Sequence, residues 1–300
     1  MFAWLALGVL VVSLASLLIR LAQAEGAGSL AIASGRLLLA ALVLTPLAWK
    51  RCGAELRRLP RRDWATAGAA GVLLALHFAT WIASLRYTSV ANSVALVTTN
   101  PIWVGLGAWL FLRERPAAAV VAGIGMSIAG AGLIFLSDTW AAGGAAAPGA
   151  PAVEHGAPLL GNLLALAGAV AISGYLLVGR ALSRNLSLLA YVWIVYAATA
   201  AVLLVAAIAA GTPPWDMTGA ALLAVAALAL GPQLTGHTIL NWSLRRLSAA
   251  FVAVAILGEP IGSALLAWLF LGEGFTALQG LGFALLMAGI FVAARAERAG

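Results

Sequence analysis

The stretch EPIGSALLAWLFLGEG, residues 259–274, is apolar enough to sit in lipid, yet it opens with a carboxylate beside a proline. A proline removes a helix hydrogen bond. A glutamate at membrane depth carries a large transfer cost. An almost matching stretch, NPIWVGLGAWLFLRER, occupies residues 100–115. Two such segments in one chain point to a duplicated membrane protein whose inner helices are interrupted at matching places.

The rest of the chain supports a membrane setting. Of its 300 residues, 63% are hydrophobic and only 9% charged, whereas soluble domains carry about a quarter charged residues. Mean hydropathy is +1.04, and a helical span needs roughly 20 predominantly apolar residues. These properties predict an all-α polytopic membrane protein with the lipid bilayer as its solvent. The single Cys52 rules out an intrachain disulfide and lies near Lys50 and Arg51, as a reduced, unremarkable thiol would. The motif LAQAEG at 21–26 has the look of a signal-peptidase site. However, the n-region MFAW has no positive charge and Arg20 follows the apolar run, so the first span is expected to be retained.

Charged clusters, Pro and Gly divide the sequence into ten spans: roughly 2–20, 28–49, 64–86, 88–112, 117–137, 158–180, 187–211, 217–241, 247–272 and 275–294. Fourteen of the 17 Lys and Arg then fall at alternate span ends, from Lys50 and Arg51 to Arg295 and Arg298. The opposite ends keep only Arg20 and Arg86, and Arg36 lies within the second span. That asymmetry predicts both termini in the cytoplasm. It also accounts for a sequence pI of about 10.7 without any nucleic-acid partner. The segment 138–157, rich in Gly, Ala and Pro, reads as an external linker. It separates a first five-helix half, 1–137, from a second, 158–300.

The halves align. Shifting 84–130 by 159 places Ser84-Leu85-Arg86 on Ser243-Leu244-Arg245, Ser89 on Ser248, Pro101 on Pro260 and Glu114 on Glu273, with 18 identities over 47 positions. Five spans per half is odd, so the second half must enter the membrane from the opposite side. This is an inverted repeat, whose binding site typically lies near the midplane between the halves.

Ten spans in two such halves resemble the drug/metabolite transporter superfamily, specifically the EamA-type transporters. The resemblance rests on HFATWIASLRYTSVANSVALVTTNPIWVGLGAWLFLRERP (77–116), LNWSLRRLSAAFVAVAILGEPIGSALLAWLFLGE (240–273) and the Arg-containing second span SGRLLLAALVLTPLAW (34–49). It implies a secondary transporter with a central cavity lined mainly by spans one, three, four, six, eight and nine. Across that superfamily, substrates include amino acids, metabolites, nucleotide sugars and toxic cations.

The polar residues inside spans supply the candidates. Gln233, His237 and Asn241 recur at four-residue spacing, one face of an α-helix, and such a stripe must face protein or water. The bland alternative is hydrogen bonding between helices. His77, Trp81 and Ser84 form a weaker stripe, with the external aromatic belt as the alternative for Trp81. Thr98, Thr99, Asn100, Pro101 and Trp103 cluster in span four, and Glu259 and Pro260 take the places of Asn100 and Pro101 in span nine. Each Pro frees a carbonyl four residues earlier, Val97 and Ile256, so Pro101 and Pro260 are candidate hinges. Glu259 either faces the cavity, where it could bind substrate or exchange a proton, or forms a static ion pair with Arg36. In a third arrangement Arg36 takes a substrate carboxylate and Glu259 an amine. Gly123, Ser127 and Ala131, with the Gly-rich segment 278–289, suit close helix packing, either between repeats or across a homodimer.

Nothing in the sequence points to catalysis. No metal-ligand cluster, cofactor motif or phosphate-binding Gly-rich loop is present, and the spans contain no Asp. The sequence-based reading is a bacterial-type inner-membrane exporter of small metabolites, amino acids first, working by alternating access. A channel, a lipid-flipping protein and an exporter of toxic organic cations are the alternatives. The substrate-site residues are Arg36, His77, Trp81, Asn100, Trp103, Gln233, His237, Asn241 and Glu259, with protons as a second candidate partner.

Overall fold

A computed structural model describes residues 1–88, 90–113, 116–141, 157–182, 186–272 and 277–299. The aligned positions Ser89, Glu114 and Glu273, and linker residues 142–156, lie outside that set. All regular structure among the described residues is helical. In chain order the helices are α1 (Phe2–Ala24), α2 (Ser29–Arg58) and α3 (Arg61–Tyr87). Helix α4 has two segments, Val90–Val97 and Asn100–Gly107, the second continuing into a π-helical turn, Ala108–Leu112. Then come α5 (Ala118–Ala141), α6 (Pro158–Leu182) and α7 (Leu188–Ala209). Helix α8 runs from Gly219 to Ser243 and is π-helical over Ala229–His237. Helix α9 is again broken, into Ala249–Ile256 and Glu259–Leu271, and α10 spans Ala277–Ala299.

Eight of these helices are long and apolar enough to cross a membrane, and α5 and α10 contain the shorter apolar stretches Ala118–Gly130 and Gly280–Val292. Ten apolar helices therefore occupy the places of the ten expected spans. The ends differ from expectation where polar residues favour helix. Helix α2 passes Pro46 in its interior and runs on to Arg58, because the Lys, Arg, Glu and Ala of its basic tail are good helix formers, and it ends ahead of Pro60. Helix α5 likewise continues through Ala141, into the segment read as linker. Hydroxyl caps start the second-half helices: Ser187, Thr218 and Ser248 accept from the backbone N–H groups of Ala190, Ala221 and Phe251, satisfying otherwise orphaned donors.

Packing crosses between the halves far more than within them. Helix α2 packs on α7, α5 on α10, α3 on α6 and α7, and α1 on α8 and α9. The pairing repeats when the halves are exchanged: α1 on α9 answers α6 on α4. The first segment of α4 meets the second segment of α9, and the second of α4 meets the first of α9. The two broken helices thus run antiparallel past each other, as an inverted repeat demands.

Helices α5 and α10 pack against each other between the repeats, one of the two packings expected for their small residues. A Cβ at Gly130 would meet the Gly282 carbonyl oxygen at 2.6 Å, and one at Gly289 would meet the Gly123 oxygen at 2.6 Å. Gly130 and Gly289, like Gly123 and Gly282, are repeat mates at the 159-residue shift.

Candidate functional site

The site begins at the two breaks. Helix α4 yields at Thr98–Thr99 and α9 at Leu257–Gly258, again equivalent positions. Before each proline the backbone tightens to bonds from residue i to i−3: Thr99 N–H to the Leu96 carbonyl, Leu257 to Val254 and Gly258 to Ala255, each 3.1 Å. The second segments then restart at Asn100-Pro101 and Glu259-Pro260, with the proline in the first turn, where its missing N–H costs least. The two half-helix N-termini carry partial positive charge, and in α9 a carboxylate sits on that end.

Two serines tie the breaks to neighbouring helices. The Ser13 hydroxyl of α1 donates to the Glu259 carbonyl at 3.4 Å, and the Ser173 hydroxyl of α6 donates to the Asn100 carbonyl at 3.2 Å. They are repeat counterparts at a shift of 160 rather than 159. Ser263 donates back to the Ser13 carbonyl at 3.2 Å.

A cavity lies between the breaks. It is walled by α1 (Val12, Ala15), α3 (His77, Trp81), α4 (Val97, Thr98, Asn100), α6 (Ile172, Leu176), α8 (His237, Leu240) and α9 (Ile256, Glu259). These are the six helices that the resemblance implied. Its free interior is about 40 Å³, space for a few waters, so a metabolite enters only if the helices move apart. The His77 Nδ1 lies 3.0 Å from the Gly168 carbonyl of α6. A carbonyl only accepts, so Nδ1 carries a proton and donates it to Gly168. Trp81 stacks on His77 with centroids 5.7 Å apart and 14° between planes. The Asn100 Oδ1 and Trp81 Nε1 are buried without a hydrogen-bond partner among the described residues.

The remaining candidates stand behind this wall. Arg36 is fully buried. Its Nε donates to Gln233 Oε1 at 2.9 Å, and its guanidinium lies 4.2 Å from the centroid of Phe78. Arg36 and Glu259 interact electrostatically, but no ion pair or hydrogen bond joins them among the described residues. The Tyr196 hydroxyl donates to the Gln233 carbonyl at 3.0 Å. Asn241 Nδ2 donates to the Tyr175 hydroxyl and, at 2.8 Å, to the His237 carbonyl. Trp103 is partly buried and does not line the cavity, and its Nε1 has no hydrogen-bond partner among the described residues. The expected stripe Gln233–His237–Asn241 therefore divides: His237 faces the cavity, Gln233 faces Arg36, and Asn241 faces α6.

Polar patterning missed the apolar wall (Val12, Ala15, Ile172, Leu176) and Phe78, for which the sequence carries no signal beyond ordinary lipid-compatible residues. It also missed Ser13 and Ser173, single Ser residues that lie one position off the 159-residue register.

Residues 1–136 and 159–295 match the EamA-like transporter family, by two copies of one pattern. The chain belongs to the EamA-like transporter family. It is 24% identical over 277 residues to the uncharacterized transporter YwfM of Bacillus subtilis, covering 91% of this chain and 87% of that one. It is 25% identical over 229 residues to the uncharacterized transporter sll1319 of Synechocystis, 74% of this chain and 64% of that one. The chain therefore aligns with just under two thirds of the cyanobacterial relative. A solved crystal structure superposes with a TM-score of 0.75 over 97% of this chain and 95% of its own, at 22% identity, which is a likeness of fold. This EamA-like chain is a multi-pass membrane protein whose relatives are named as transporters.

Proposed function

We propose that the protein is a secondary transporter that exports small metabolites, amino acids first, across a bacterial-type inner membrane by alternating access. The observation that carries this reading is the small cavity between two antiparallel broken helices, walled by six helices from both halves. Breaks at mid-membrane are tolerated where they line a cavity, and transporters of this build place substrate there. Rocking of one half against the other about Pro101 and Pro260 would open the cavity to each side in turn. Glu259, at a half-helix N-terminus in the cavity wall, is the group assigned to contact substrate or exchange a proton. His77, Trp81, Asn100 and His237 complete the contact surface. The charge distribution supports a cytoplasmic position for both termini.

The test is exchange of a labelled amino-acid mixture by purified protein in liposomes, with and without a pH gradient. Exchange above empty liposomes is expected, and its response to the gradient reports proton coupling. Folded protein that exchanges no amino acid, but moves organic cations or phospholipid, would replace the substrate assignment with one of those classes.

A further inference from the structure

We propose that Arg36 and Gln233 form a carboxylate-binding subsite of the central cavity, shut off from it in this conformation by the ring of Phe78. The proposal rests on the transporter reading and narrows it to substrates that bear a carboxylate.

The argument starts from unmatched donors. Arg36 is 0% exposed, and Nε is satisfied by Gln233. Its Nη1 and Nη2 have no hydrogen-bond partner among the described residues, and neither does Gln233 Nε2, one amide away from the guanidinium. All three orphans are N–H donors, and a guanidinium offers no acceptor. What completes them must be an acceptor. Because a buried cation left unpaired is strongly unfavourable, that acceptor must also be negative. The guanidinium fork matches the two oxygens of a carboxylate. Glu259 is the one carboxylate among the described residues that acts on Arg36 electrostatically, and it holds its own place in the cavity wall without bonding to Arg36.

Phe78 supplies the partition. Its ring is fully buried. One contact is the Arg36 guanidinium at 4.2 Å; others are His77 at 4.9 Å and His237 at 5.4 Å between centroids. Both histidines line the cavity, whereas Phe78 and Arg36 do not. A ring face attracts a cation, so Phe78 holds the guanidinium while no anion is bound. When the ring turns aside, the fork opens between the two histidines, and a substrate carboxylate replaces the ring as its partner. Gln233 fixes the orientation of the fork through Nε and adds its Nε2 as a third donor.

The experiment uses the full-length protein in liposomes and a panel of the common amino acids. Each is compared with its amide and with the amine that lacks the carboxylate, as competitors of exchange and as stabilisers against heating. The acids are expected to compete about 100-fold or more better than their amides and amines, as a site built around charged hydrogen bonds requires. Arg36→Met should erase that preference, and Arg36→Lys should restore only part of it. If wild-type protein takes the amides and amines as well as the acids, the subsite is wrong while the transporter reading stands. If folded protein moves no probe of any class, the transporter reading itself fails. If Arg36→Met does not fold, the wild-type comparison decides alone. If Arg36→Met and Glu259→Gln each reduce exchange, the double variant recovers it, and acid preference never changes, Arg36 serves a static ion pair and the subsite is overturned.

Discussion

Glu259 and Asn100 occupy the same place in the two repeats, each opening the second segment of a broken helix, but only one of them is ionisable. That difference gives the cavity a single acid, so its removal tests function with little effect on packing. Glu259→Gln keeps shape and hydrogen-bonding capacity; exchange is expected to fall at least about 10-fold, the scale of one lost charged contact, with an unchanged melting temperature. Normal exchange in that variant, with and without a pH gradient, would dismiss the role of the acid. The serines behave in the opposite way. Ser13→Ala and Ser173→Ala each remove a hydroxyl from the carbonyl at a break. Each should lower stability by about 0.6–2 kcal/mol, read from thermal unfolding in detergent. Glu259 was legible in the sequence because a carboxylate in an apolar run is conspicuous. Ser13 and Ser173 were not, since an isolated Ser in a membrane helix usually bonds back to its own helix, as both also do here to Val9 and Ala169.

The helices themselves were legible wherever apolar length alone decides them, and the prolines marked both breaks. What the pattern could not reveal was which neighbour each polar residue of α8 meets. Gln233 meets Arg36 of α2 and Asn241 meets Tyr175 of α6, while His237 lines the cavity. The breaks carry a prediction about motion. Pro260→Ala restores an N–H and lets α9 rejoin into one rod. Exchange should slow about 10-fold, as hinge changes alter turnover, while the melting temperature holds or rises. Unchanged exchange would show that the break is architectural only. A second prediction concerns the α5–α10 contact. Gly130→Ala or Gly289→Ala drives a methyl onto a facing backbone oxygen and should cost about 1–3 kcal/mol by overpacking. Gly125→Ala, where nothing lies within 4 Å, is the matched control and should melt with the wild type.

For the whole molecule, the duplication was plain in the sequence, but the manner in which the halves interlock was not, because partner choice between helices leaves no trace in apolar composition. The structure shows that most helices find their main partner in the other half: α1 on α8 and α9, α2 on α7, α3 on α6 and α5 on α10. Contacts within a half, such as α2 on α3 or α4 on α5, are the lesser ones. A half alone therefore leaves polar groups such as Arg36, Gln233, His77 and Asn241 facing lipid, which provides no hydrogen-bond partners. The two halves should behave as one folding unit that does not depend on chain continuity. Residues 1–141 and 157–300, produced as separate chains, are each expected to be degraded or to aggregate when made alone. Made together, they should co-purify as a one-to-one complex and recover exchange in liposomes. Stable, monodisperse single halves would mean that each repeat satisfies its own polar groups, and the interlocked packing would then contribute little to the fold. Recovery only with the two halves joined would instead give the connecting segment a positioning role.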